Sequence, residues 1–248
     1  MKARSFACSM LLVCTLGFSG ERPAQFEAWG TRGPELPPAP AGWTQVSGET
    51  KLRPALNLTA AEHAAGFIAF QRHVFDEIYS DSVPASFEQQ PRLQAFATLG
   101  EYEPLSFAIH ALTDLSDVQV KAGAIKSGTS DFPESHIDIR WVRPVRSKVA
   151  YQVSTDQRYR LAPFYLEKHE SFNIAGRTTA QVWITLKVPD AIAGGNYTGS
   201  ISVQAKGRAA LAIPLRLRVL PFKLPPVSLE TTMSYAKQAG DENLRENA

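Results

Sequence analysis

Cysteine is the scarcest reactive residue in this chain. Only Cys8 and Cys14 are present among 248 residues, and both lie in a segment that reads as a removable leader. Without them the chain has no disulfide, no thiol nucleophile and no thiolate-held metal, so its stability must come from burial. Charge of one sign is missing too: 26 Lys and Arg stand against 24 Asp and Glu. Loss of Lys2 and Arg4 with the leader brings the two counts level, which gives no broad attraction to nucleic acid. After residue 20 no apolar run approaches the roughly 20 residues needed to cross a bilayer. There is no HExxH pair, no GxSxG elbow, and no glycine-rich loop followed by Lys-Ser/Thr and a helix. The five histidines, His63, His73, His110, His136 and His169, show no metal-ligand spacing. The local motifs therefore assign no catalytic residue, no cofactor and no metal.

What is present begins with the leader. Lys2 and Arg4 precede an uncharged, mostly apolar stretch from Phe6 to Phe18, and Gly17 and Ser19 offer small residues for cleavage after Ser19. The expectation is a signal peptide over 1–19 and export to the periplasm or the extracellular space. Residues 20–56 hold Pro34, Pro37, Pro38 and Pro40 close together and read as an extended lead-in. A β-sandwich is expected over 57–222. Residues 223–248 read as a polar tail or the start of a following domain.

One helix signal stands out. Thr59 and Glu62 have capping-box spacing before an alanine-rich stretch, which predicts a helix over 59–65 ended by Gly66. Residues 66–79 fit either a continued helix or an extended segment. From about residue 92 the apolar period becomes two. Leu105, Phe107, Ile109 and Ala111 form one such row, with Ser106, Ala108 and His110 on the wetter side. Ile137, Ile139 and Trp141 form another, as do Val182 to Val188, Ile201 to Ala205 and Ile213 to Val219. Weaker candidates lie near 93–98, 117–121, 148–153 and 162–167. Gly194-Gly195-Asn196 reads as a hairpin turn, and Thr113-Asp114 and Lys206-Gly207-Arg208 as further turns. No helix-length pattern separates the later rows, so parallel βαβ units are disfavoured. The predicted fold is all-β: an antiparallel β-sandwich with a short N-terminal helix. Each inward side chain contributes about 1.5–3 kcal/mol when buried, enough in sum to offset the entropy of ordering the strands.

Three features invite a functional reading. Glu101 and Glu103 share one face of a strand start, about 7 Å apart at the rise of a strand, and read as a solvated edge or, less simply, as a glycosidase carboxylate pair. Arg140, Arg143, Arg146 and Lys148 form the densest charge cluster, either the wet face of a strand or an anion or domain contact. Trp183 lies opposite to the aliphatic row of its strand, beside Gln181 and Thr185. An outward indole needs a cover, a partner domain or a stacked sugar. Trp141 falls on an apolar row and reads as core. Trp183, Arg140 and Arg143 are thus the candidate contact residues for a ligand or a neighbouring domain.

Several longer phrases carry a family resemblance: Gly66 to Arg72 (GFIAFQR) with Ile78-Tyr79 and Val83-Pro84 after it; Gly100 to Phe107 (GEYEPLSF) followed by Leu112 to Leu115 (LTDL); Trp183 to Pro189 (WITLKVP) with Gly194 to Gly199 (GGNYTG); and Pro214 to Phe222 (PLRLRVLPF). Over about residues 66–222 the chain resembles the N-terminal β-sandwich region of bacterial proteins related to glycoside hydrolase family 123, and of the neighbouring group carrying a glycoside-hydrolase-like domain of unknown function 4091. The resemblance implies a sandwich preceding a (β/α)₈ barrel that holds the catalytic acids, with N-acetylgalactosaminides as substrates and the substrate's acetamido group assisting. About 26 residues follow Phe222, whereas a barrel takes about 250, so no catalytic residue carries over. Three functions compete: a non-catalytic accessory domain for a catalytic barrel partner, a free carbohydrate-binding or adhesion module, and an independent glycosidase.

Overall fold

A computed structural model describes residues 38–49, 56, 58–149 and 157–225. The expected signal peptide and polar tail from 226 lie outside them, as does most of the 148–153 strand candidate. Where the helix was expected, α1 runs Ala60–Ala65. Thr59 caps it: its Oγ1 accepts from the Glu62 backbone N–H at 3.2 Å, and the Glu62 carboxylate accepts from the Thr59 N–H at 2.8 Å. Such a cap is worth about 1 kcal/mol. Gly66 ends the helix at φ +77, where a side chain would be strained. The ambiguous stretch after it is extended, as β2 (Phe67–Phe70).

Twelve further strands among the described residues form two stacked sheets. In chain order they are β1 (Thr44–Gln45), β3 (Leu93–Leu99), β4 (Tyr102–Ala111), β5 (Leu115–Ala122), β6 (Ile125–Ser127), β7 (Ser130–Phe132), β8 (Ile137–Lys148), β9 (Arg158–Glu167), β10 (Phe172–Ile174), β11 (Thr179–Lys187), β12 (Gly195–Gln204) and β13 (Leu211–Lys223). The first sheet has the order β1-β9-β8-β11-β4-β2, and the second β10-β5-β12-β13-β3, with β6 and β7 appended beside β12. All five strong rows are strands, and 93–98, 117–121 and 162–167 are strands as well. Pairing is antiparallel except at two places, β1 on β9 and β3 on β13. β1 lies within the proline-rich lead-in, which supplies the edge of the first sheet.

The core fills the space between the sheets. Phe107, Ile109, Val182, Ile184 and Leu186 of the first sheet face Ile201, Val203, Ile213, Leu215 and Leu217 of the second, all nearly inaccessible to water. Trp141 belongs to this core, as its row predicted, and stacks on Phe172 with centroids 4.5 Å apart.

Two expectations fail. Gly194-Gly195-Asn196 is not a hairpin turn. β11 lies in the first sheet and β12 in the second, so residues 188–194 carry the chain between sheets. Glycine is needed at 194 because a Cβ there would come within 2.8 Å of Pro221. The hairpin of this region is β12–β13, closed at Lys206-Gly207, where Gly207 takes φ +70. Second, Ser106, Ala108 and His110 are not on a wet face: all three are buried. Residues 71–90 fold back over this half of the first sheet. Ile78 packs on Phe70 and Ala108, the Thr179 N–H donates to the Ser80 carbonyl at 2.8 Å, and Thr179 Oγ1 donates to the Ser82 carbonyl at 2.6 Å. Arg72 ties the cover down through Glu49 at 2.8 Å and Glu88 at 2.9 Å.

Candidate functional site

The cover stops short of Trp183. Register places Trp183 opposite Ser106 on one side and Arg140 on the other, and Gln181 opposite Ala108 and Val142. Cross-strand partners share a face, so Trp183 and Arg140 do come together on the outer side of the first sheet. There the half-buried indole and Gln181 floor a groove of about 310 Å³. One wall is Val74 to Glu77, near the start of the cover; the other is Pro163, Phe164 and Leu166 of β9. Phe75 is 87 % exposed and Phe164 67 % exposed. The Phe164 ring is held edge-on against Tyr165, 4.8 Å away.

The polar groups around the groove differ in freedom. Gln181 Nε2 donates to Ser106 Oγ at 2.8 Å, both residues being buried. Glu77 accepts from the Tyr79 phenol, whose pKa is pushed up to about 12 by burial and by that carboxylate. Asp76, in contrast, has no charged partner among the described residues. Arg140 donates to Asp138, which also accepts from Lys168 at 3.4 Å. Burial acts to raise the Asp138 pKa, but Arg140 and Lys168 outweigh it and hold the carboxyl below its ordinary value.

Arg143 is not part of this groove. Three residues along a strand reverse the face, so Arg143 points the way Trp141 does. It pairs with Glu167 and lies over the Tyr165 ring, 4.5 Å from its centroid. The rest of the basic cluster is likewise spread out, with Arg146 over Tyr159 and Lys148 over Trp43. The cluster seen in sequence is thus divided between two faces of β8.

Of the carboxylate pair, Glu101 accepts from the Thr98 N–H at 2.6 Å and so closes the turn into β4. Burial, then the charge of Glu101, raises the pKa of Glu103. The histidines are dispersed. His110 bonds Thr179 Oγ1 at 2.9 Å, His136 the Lys187 carbonyl at 2.8 Å, and His169 the Glu167 carboxylate at 3.1 Å. Among the described residues no three His, Cys, Asp or Glu are grouped to hold a metal ion, and no helix is long and apolar enough to cross a membrane.

Sequence reasoning missed the aromatics flanking Trp183. Phe75 fell in the undecided 66–79 stretch, and Phe164 in a weak strand candidate whose outer row is only now apparent. It also missed a second exposed apolar surface. On the outer side of the second sheet, Phe96 and Leu220 line a groove of about 570 Å³ with Arg216 and Arg218. Phe96, Phe222 and Leu224 are 69 %, 51 % and 52 % exposed. Both arginines are exposed and have no acidic partner among the described residues.

Comparison with known proteins gives a family. A family model described as the glycoside hydrolase 123 N-terminal domain matches residues 76–205, from within the cover through β12. No curated protein sequence matches. Among solved structures, similarity is found to a family 123 glycoside hydrolase from Clostridium perfringens, studied for glycolipid glycan hydrolysis. Identity is 19 % and the TM-score 0.49, over 54 % of this chain and 23 % of that one. The seventh PapD-like domain of human CEP192 has 11 % identity and a TM-score of 0.29, over 72 % of this chain and 99 % of that one. CfaE, the adhesive subunit of the CFA/I fimbria of enterotoxigenic Escherichia coli, has 8 % identity and a TM-score of 0.25, over 52 % and 46 %. The chain thus spans about a quarter of the length of the family 123 structure.

Proposed function

The chain belongs to the glycoside hydrolase 123 N-terminal domain family, and from that premise we propose that it is an exported, non-catalytic accessory domain that braces a carbohydrate-active catalytic region. The observation that carries this reading is the surface beside the last strand. Leu220, Phe222 and Leu224 alternate along β13 and the residue just after it, Phe222 and Leu224 are exposed, and Phe96 of β3 lines one groove with Leu220. Apolar side chains left open in a row are an interface signature when polar groups rim them, and here Arg216 and Arg218 form the rim. A catalytic region with an apolar, acid-edged face fits this surface. Glu101 accepts from the Thr98 N–H, which supports reading it as a turn residue and not as half of a catalytic pair.

The test has two arms. The purified chain is expected to hydrolyse no chromogenic N-acetylhexosaminide. Co-expressed with a family 123 catalytic region from the same genome, it is expected to elute with that region as one species in size-exclusion chromatography. Phe96→Ser with Phe222→Ser is expected to separate the two. Turnover abolished by changing Glu101 and Glu103, or separate elution of the unaltered chain, would overturn the reading.

A further inference from the structure

The groove over Trp183 lies on the other sheet from the proposed docking surface and does not depend on it. We propose that this groove is a carbohydrate subsite that takes one or two rings of a neutral sugar, with Trp183 as its stacking platform. Size argues first. At about 310 Å³ it stands at the small end of ligand sites, which run from about 300 to 1,000 Å³. Its composition argues next. A rigid aromatic floor suits the C–H face of a pyranose, and Phe75 and Phe164 stand open on opposite walls, ready to close on the edges of a ring. Pockets for small ligands combine such apolar walls with a few placed polar groups. Here Gln181 is fixed through Ser106, and Asp76, with no charged partner among the described residues, offers a carboxylate to accept sugar hydroxyls.

Charge narrows the ligand class. Asp76 and Glu77 line one wall, while Arg140, the cation nearest Trp183 in register, is engaged by Asp138. The wall therefore repels sulfated or uronic sugars and tolerates uncharged ones.

Titration of the full chain with neutral oligosaccharides of glucose, galactose and N-acetylhexosamines, followed by isothermal titration calorimetry, tests this. At least one neutral probe is expected to give a saturable change. Trp183→Ala and, separately, Phe164→Ser are each expected to weaken it by roughly tenfold or more. Phe164 is largely exposed, so its variant keeps the melting temperature of the parent and isolates the loss of binding from loss of folding. Four results would overturn the proposal: no saturable change with any neutral probe at about 10 mM; preference for a sulfated probe; binding that survives both substitutions; or concentration-dependent dimerisation that the same substitutions abolish, which would give the groove to a second copy of the chain.

Discussion

Replacing Arg72 by Met should be among the most damaging single changes available in this fold. The guanidinium bridges Glu49 and Glu88, and the three side chains are only 6 %, 6 % and 7 % exposed. Burial opposes the charge, but hydrogen bonds to Glu88 and Glu49 outweigh it and hold the Arg72 pKa above its ordinary value. Met preserves bulk and removes only the charge and the donors. Glu88 would then stay buried without the guanidinium it now faces, and breaking a buried pair in this way costs about 3–5 kcal/mol. Folded domains hold about 5–15 kcal/mol in all, so the variant sits near its folding threshold. Urea denaturation followed by circular dichroism should show the midpoint fall by roughly 1–3 M at a typical slope. A loss under about 1 kcal/mol would refute the argument that this ion pair clamps residues 71–90 over the sheet. Hydrogen exchange should also show Val74 to Glu77, one wall of the groove, opening first.

Two further outcomes follow from single side chains. Leu215→Asp places an unpaired charge among residues that are 2 % exposed or less and should prevent accumulation of folded protein, read as loss of a cooperative thermal transition. Glu103→Gln should stabilise the chain modestly, by under about 1 kcal/mol. The Glu103 pKa is raised on folding, so its charged form works against the native state at neutral pH and not below its unfolded pKa. The gain should thus appear near pH 7 and vanish near pH 3, and a gain independent of pH would sink this account.

The strands were legible because a half-buried strand writes its two environments into alternate residues, and rows such as Val182 to Val188 do so cleanly. The cover over the first sheet was not, because Ser106 and His110 are polar side chains buried by partners far away in sequence. His110 reaches Thr179, and Ser106 reaches Gln181. Polarity alone could not distinguish a wet face from a satisfied dry one. The misread turn at Gly194 has a related cause: glycine marks close approach as well as bends, and only the fold brings Pro221 near. Trp183 was identifiable from period two alone. That Arg143 parts company with Arg140 was legible by the same count, though charge density drew the two together. Phe75 and Phe164 carried no such signal, since an exposed phenylalanine is ordinary until the walls of a groove gather around it.

The place of β13 has a consequence for how the molecule is made. In the second sheet this strand lies between β12 and β3, so among the described residues β3, synthesised early, gains its neighbour in that layer only when β13 has left the ribosome. Pairings so distant in sequence form slowly. A nascent chain stopped before Leu211 would present β3 and β12 as open edges, inviting capture by other chains. Closure of this layer thus waits for β13 and is sensitive to any change that shortens its ladder with β3.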